Sequence, residues 1–184
     1  MRKEENPVYD KNTLEFVTVA LEFCSWLEKI AETDLFGFVD KATKLLPLLY
    51  LKAALLPEVE EPDEEDECDT SHFITEDTYD ALRGRIAGLL GEYDSYLETF
   101  LPDMQYSDTP IIAFISENLA DIYQDTGNFI SLFRQGYEAV MLQSLALCRV
   151  NFRLFWGQSL LNALKALHSV RYNEELNIKE KEEE

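Results

Sequence analysis

A chain of 184 residues is long enough for one domain with a buried core and no staples, and its 46% hydrophobic and 12% aromatic content is that of a globular protein. Its 36 acidic residues outnumber 16 basic ones, for a net charge of -20. That charge repels DNA, RNA and anionic lipid, which excludes direct nucleic-acid and membrane-surface binding and leaves a basic protein or a divalent cation as the natural partner, although solubility explains the charge equally well.

The opening MRKEENPVYDKN lacks the apolar core and cleavage site of a signal peptide, and residues 1–12 are expected to fray. A first helix is predicted over Thr13–Glu32, with Leu14, Val17, Leu21, Cys24, Leu27 and Ile30 inward and Glu15, Glu22, Glu28 and Lys29 outward. Asp34 has the place of an N-cap for a second helix. That helix buries Leu35, Phe38, Val39, Ala42, Leu45, Leu46, Leu49 and Leu56, and Pro47 is expected to kink or divide it. Residues 57–71, PEVEEPDEEDECDTS, read as an exposed, flexible acidic loop, or as a docking tail for a basic partner. The alternating Asp ladder and central Gly of a calcium loop are missing from it.

Thr75 opens a third helix, with acids in its first turn, predicted to reach about Phe100 through Tyr79, Leu82, Ile86, Leu89, Leu90, Tyr93, Tyr96 and Leu97. Gly84, Gly88 and Gly91 suggest close packing against a neighbouring helix. Pro102 ends the helix and Asp103–Asp108 forms a turn. Thr109 and Pro110 open a fourth helix with Ile111, Ile112, Ile115, Leu119, Ile122, Ile130 and Phe133 inward, its middle loosened by Gly127. After a tight turn at Arg134–Gly136, one long helix runs from Tyr137 to Arg171.

Met141, Leu145, Cys148, Phe152 and Phe155 draw an apolar stripe along that helix, flanked by Val140, Leu147, Val150, Leu154, Leu161 and Leu164. A helix apolar over most of its circumference is buried among others, so this one is expected at the centre, at roughly 50 Å long. Arg149, Arg153, Gln158, Asn162 and Lys165 interrupt it too often for a membrane span. Gly157 is expected where a neighbouring helix comes close beside Trp156. Residues 172–184 form a charged, frayed tail. No alternating strand pattern and no internal repeat is visible. The fold is therefore predicted as all-α: a single-domain bundle of about five main helices, with helices 4 and 5 as an antiparallel hairpin.

Cys24, Cys68 and Cys148 are odd in number and widely spaced, which fits a reduced cytoplasm. No Cys/His cluster has zinc spacing, Ser107, Ser116 and Ser159 lack a nucleophile-elbow context, and no glycine-rich phosphate loop exists. His72 lies after the acidic segment, and His168 near a helix C-terminus suits the dipole. Trp26, Trp156, Phe152, Phe155 and Tyr137 read as core rather than as a cofactor box.

The cluster that carries candidate chemistry is ISENLADIYQD. Glu117, Asp121 and Asp125 are spaced by four and stack on one helix face, where their repulsion needs compensation. A hairpin turning at Gly136 sets Asp121 opposite residue 151, between Arg149 and Arg153. This predicts a structural ion-pair network of Glu117, Asp121, Asp125, Arg149 and Arg153 that fixes helix register. The competing reading is a metal site in which Glu28 and Glu32 supply the second pair, as in a magnesium- or manganese-dependent hydrolase of the helical nucleotide pyrophosphatase kind.

ISENLADIYQD and the later FWGQSLLNALKALH resemble the C-terminal half of an uncharacterised bacterial helical family catalogued as a domain of unknown function. Its members pair an IS-acid-acid-LAD segment with a long helix carrying WG and an ALRALH-like run. The matching residues are Ile115, Ser116, Glu117, Leu119, Ala120 and Asp121, then Trp156, Gly157, Ala163, Leu164, Ala166 and Leu167. Asn118 departs from the second acidic position. With a looser likeness in LLPLLYLKAALLP, the resemblance covers about two-thirds of the chain. It implies an all-helical bacterial cytoplasmic protein and implies no activity.

The reading that follows is a small cytoplasmic interaction or accessory protein without catalysis or cofactor. The metal-dependent hydrolase is one alternative, and an acidic nucleic-acid mimic that occupies a DNA-binding protein is the other.

Overall fold

Each of the first three helices begins at a side-chain cap. Asp10 Oδ1 accepts the amide of Asn12 at 2.8 Å, Asp34 Oδ1 that of Gly37 at 2.7 Å, and Thr75 Oγ1 that of Thr78 at 3.2 Å. The computed structural model describes residues 6–59, 73–98 and 111–174. It contains α1 (Lys11–Glu28), α2 (Leu35–Ala54), α3 (Glu76–Leu90), β1 (Ser95–Glu98), β2 (Ile111–Phe114), α4 (Ile115–Phe133), α5 (Glu138–Asn151) and α6 (Gly157–Arg171). Short 3-10 turns at Pro7–Tyr9, Ile30–Glu32 and Gly91–Tyr93 join them. A π turn, Phe152–Trp156, links α5 to α6 with helical dihedrals at both junctions, so the two form one rod. The protein is all-α with a small two-stranded sheet, and among the described residues its five main helices are α1 to α4 and the rod.

Charged and aromatic contacts set the helix directions. Lys52 meets Glu15 at 2.6 Å and Lys41 meets Glu22 at 2.7 Å, which runs α1 antiparallel to α2. Arg171 meets Asp40 at 3.1 Å and the ring of Tyr50 lies 5.1 Å from that of Phe152, so α2 is antiparallel to the rod. The most central element is α4, which packs on α1, α3, α5 and α6. The rod, expected at the centre, lies to one side and leaves Leu147, Leu154, Phe155 and Leu161 exposed. The core gathers Phe16, Phe23, Phe38, Leu46, Leu119 and Trp156.

Several expectations from the sequence change here. Residues 6–12 do not fray: Pro7–Tyr9 turns, and Val8 is fully buried. Of the expected inner face, Cys24, Leu27 and Ile30 are buried, but earlier in α1 Phe16, Ala20 and Phe23 are buried while Leu14 and Leu21 face outward. Two phenyl rings bury more apolar area than two leucines, and that decides which stripe goes inside. Helix α2 runs undivided through Pro47. That proline and Thr43, whose carbonyl it deprives of an amide, both line an open groove where water reaches them.

The third helix stops at Leu90, because Gly91 takes a positive φ of 54°. Tyr96 and Leu97, expected on that helix, lie in β1. Ile111 and Ile112, expected on the fourth helix, lie in β2, which pairs antiparallel with β1 from Ser95↔Phe114 to Glu98↔Ile111. Short β-branched and aromatic runs read either way in a sequence, and pairing partners settle them. A methyl added at Gly84 or Gly88 would meet nothing within 4 Å, so neither marks close packing. Gly127 does not loosen α4: a Cβ there would come within 3.0 Å of Ile74 Cδ1, so it seats the residue that leads into α3. Tyr137 and Phe155 are exposed rather than core. The expectations for residues 60–71 of the acidic loop, for Pro102 and the 103–108 turn, for the Thr109–Pro110 helix start, and for the tail after Glu174 lie outside the described residues.

Candidate functional site

The carboxylate row on α4 does not form the predicted network. Successive positions four apart drift about 40° round a helix, so over two steps the row spirals from one neighbour to the next. Glu117 meets Arg83 of α3 at 3.4 Å, and Asp121 Oδ1 accepts from the hydroxyl of Tyr79, also on α3, at 2.8 Å. Asp125 turns to the rod and accepts from Asn151 Nδ2 at 2.6 Å. The hairpin of α4 with α5 is present, but Asp125 rather than Asp121 faces residue 151. Arg149 pairs instead with Glu58 at 3.1 Å, while Arg153 is exposed and makes no ion pair among the described residues. Burial pushes the Asp121 carboxyl above its usual range and the charge of Glu117 adds to this, while the Tyr79 hydroxyl opposes it. Burial also raises Tyr79, and Asp121 raises it further.

Nor do the acids of α4 converge with those of α1. Glu28 Oε1 accepts from the Tyr123 hydroxyl at 3.0 Å, and Glu32 is exposed in the following 3-10 turn. Among the described residues, no group of three or more His, Cys, Asp or Glu is placed to hold a metal ion. Cys24 and Cys148 are buried free thiols; burial pushes Cys24 up to about 12 and raises Cys148 as well. His168 is exposed at the end of α6, its ring 4.7 Å from that of Tyr172. Cys68, His72 and Ser107 lie outside the described residues.

A polar cluster that the sequence did not reveal lies where the hairpin meets α4 and α6. Asp94, 7% exposed, caps α4 from a distance. Its two carboxylate oxygens accept from the Ser116 amide and hydroxyl, each at 2.7 Å, and its carbonyl accepts from the Ile115 amide at 2.8 Å. Ser116 thus serves helix capping rather than nucleophilic chemistry. Glu98, 8% exposed, accepts from the Tyr96 hydroxyl at 3.2 Å and Asn162 Nδ2 at 2.8 Å. Asn118 donates to the same Tyr96 oxygen at 2.5 Å. Burial moves the Tyr96 phenol up to about 12. A cavity of about 270 Å³ adjoins this chain of partners, lined by Tyr93, Tyr96, Glu98, Asn162 and Lys165. Tyr96, Glu98, Asn118 and Asn162 bond one another, which locks the hairpin onto the bundle. The reading of 95–98 as helix hid the cluster, because a helix sends Tyr96 and Glu98 in different directions from a strand.

The most distinctive geometry is the π turn. The Gly157 amide donates to the Phe152 carbonyl five residues back. A Cβ at 157 would overlap that carbonyl oxygen and touch the Phe152 ring at 3.0 Å. The close approach marked by Gly157 therefore comes from its own helix. Trp156 Nε1 donates to the Cys148 carbonyl at 3.3 Å, which ties the widened turn to the core. The same turn brings Arg153, Leu154 and Phe155 to the surface, the last two 63% and 62% exposed. Antiparallel α2 lies alongside and exposes Leu48, Leu51 and Leu55. Towards the C-terminus of α6 the two elements enclose a groove of about 520 Å³, lined by Pro47, Lys44, Leu161, Leu164, Lys165 and His168 among others.

An all-α bundle with a paired hairpin, a π turn fixed by Trp-Gly and an exposed α2–α6 face is the class of protein that these features define. Residues 7–173 match the model of a domain of unknown function, DUF5063, and the chain belongs to that family. Among solved structures it is similar to the crystal structure of protein BF1032 from Bacteroides fragilis, at 42% identity and a TM-score of 0.80 over 91% of this chain and 96% of that one. No curated protein matches the chain. Among the described residues, no helix is long and apolar enough to cross a membrane.

Proposed function

We propose that the chain is a non-catalytic interaction protein of the cytoplasm that holds a partner protein on its α2–α6 face. One observation carries this reading: the π turn places Leu154 and Phe155 in solvent, and α2, which packs along the rod, exposes Leu51 as well, at 52%. An ordinary helix with Ala at 157 would avoid the cost of glycine, about 1 kcal/mol. The chain instead keeps a π turn, a device often found at functional sites. An exposed Phe close in sequence to an exposed Arg fits the composition of an interface, which is enriched in aromatic side chains and Arg. Each Leu or Phe covered by a partner contributes about 1.5–3 kcal/mol.

Site-specific photo-crosslinking in the native host tests the reading. A crosslinking residue at Leu154 is expected to capture one discrete partner, and one at Gly84 of α3, open to solvent, is not. Equal yields at both positions, or none at Leu154, overturn it.

A further inference from the structure

We infer that the partner segment held on the α2–α6 face is acidic and amphipathic, with apolar anchors for Leu51, Leu154 and Phe155 and carboxylates for Arg153 and Lys44. This deepens the docking reading above and rests on it.

Acidic residues avoid the two stretches that build this face. Of 36 acidic residues, none falls in residues 41–57 or residues 139–173. Evenly spread at 36 in 184, acids would occupy about ten of those 52 positions. Burial does not explain the gap, because eighteen of the positions are exposed. They are filled by apolar, neutral polar or basic residues, Lys44, Arg153 and Lys165 among them. The acid that does line the groove, Asp40, is paired with Arg171 at 3.1 Å and with Lys44 at 2.5 Å, and the Lys44 side chain stays 72% exposed to a partner. A net charge of -20 suits a basic partner at long range, but contact energies are set within about 8 Å, the screening length at physiological salt. Within that range the two stretches carry apolar side chains and more cations than the carboxylates that pair with them, Glu15, Glu22, Asp40 and Glu58, which disfavours a basic segment. An anionic lipid surface would meet the same local charges but would bring the remaining acids of the chain against it.

A display selection of random 20-residue peptides on the immobilised full-length chain tests the inference. Enriched peptides are expected to carry net negative charge and Leu or Phe at helical spacing. A synthetic representative, followed by fluorescence anisotropy, is expected to bind about ten-fold more weakly to Arg153→Glu and to Lys44→Glu, and more weakly in high salt. Phe155→Glu is expected to abolish binding, and because these positions are exposed, circular dichroism should show every variant folded. Enriched peptides that are neutral or basic and still lost in Phe155→Glu would overturn the acidic partner and leave the docking face standing. Peptides that bind Phe155→Glu undiminished, or no enrichment at all, overturn both. Binding to phosphatidylserine vesicles that Phe155→Glu removes, with no peptide enriched, assigns the face to lipid instead.

Discussion

Gly157 donates its amide to the carbonyl of Phe152, and no side chain fits between them. In an ordinary helix, replacing Gly by Ala stabilises by about 1 kcal/mol. Here the added methyl overlaps backbone. Gly157→Ala is expected to destabilise by about 1–3 kcal/mol, the usual range for forced overpacking. Gly84→Ala and Gly88→Ala, whose surroundings are empty, are expected to stabilise by about 0.5–1 kcal/mol each. Thermal melts of the three variants decide the matter; a gain for Gly157→Ala would show that the π turn gives way to an α-helix at no cost.

Exposure separates the aromatic residues of the rod. Phe155→Ser is expected to change stability by no more than about 0.5 kcal/mol. Trp156→Ala, one residue on and fully buried, is expected to cost about 3–5 kcal/mol. Urea unfolding measures both, and a large loss for Phe155→Ser would mean that its ring packs against the protein after all.

Asp94 satisfies the first amides of α4 from outside the helix. Asp94→Ala removes the acceptor for two buried donors on Ser116, and its expected cost is about 2 kcal/mol. Ser116→Ala loses one of those bonds and should cost about half as much. Similar melting temperatures for the two variants would rule out the capping role.

The raised pKa of Asp121 sets a pH dependence. A group whose folded pKa lies above its unfolded value adds stability below the unfolded pKa, and that addition is lost as pH rises through the folded one. At neutral pH the charged Asp121 is therefore a burden on the fold. Asp121→Asn, which still accepts from Tyr79, is expected to raise the melting temperature at pH 7, with the gain shrinking towards pH 3. Asp40 has the opposite sign: Lys44, and then Arg171, lower its pKa, so its contribution holds above the ordinary carboxylate range and fades as pH falls through the folded value. Asp40→Asn is expected to destabilise at pH 7 and to match the parent at low pH. A pH-independent difference for either variant would exclude the assignment.

Much of the helical framework was legible because helix periodicity and caps are local. Asp34 and Thr75 start the helices assigned to them, and the run from residue 137 to 171 is a rod almost throughout. The carboxylates Glu117, Asp121 and Asp125 were legible as a row, but not their partners. Their ligands Tyr79, Arg83 and Asn151 come from helices whose rotation about α4 depends on packing. Tyr96 and Glu98 were missed for a related reason: four residues of strand exist only because Ile111–Phe114 pairs with them.

By itself the sequence determined the all-α class, most helix starts, the acidity and the presence of a glycine that the rod required at 157. Those follow from backbone propensity and charge, which act over a few residues. Tertiary structure alone decided that Gly157 answers to Phe152 rather than to another helix, that Phe16 and not Leu14 turns inward, and that Phe155 meets solvent. Those outcomes depend on which surfaces compete for one buried volume, and a close-packed core settles that competition for the whole chain at once.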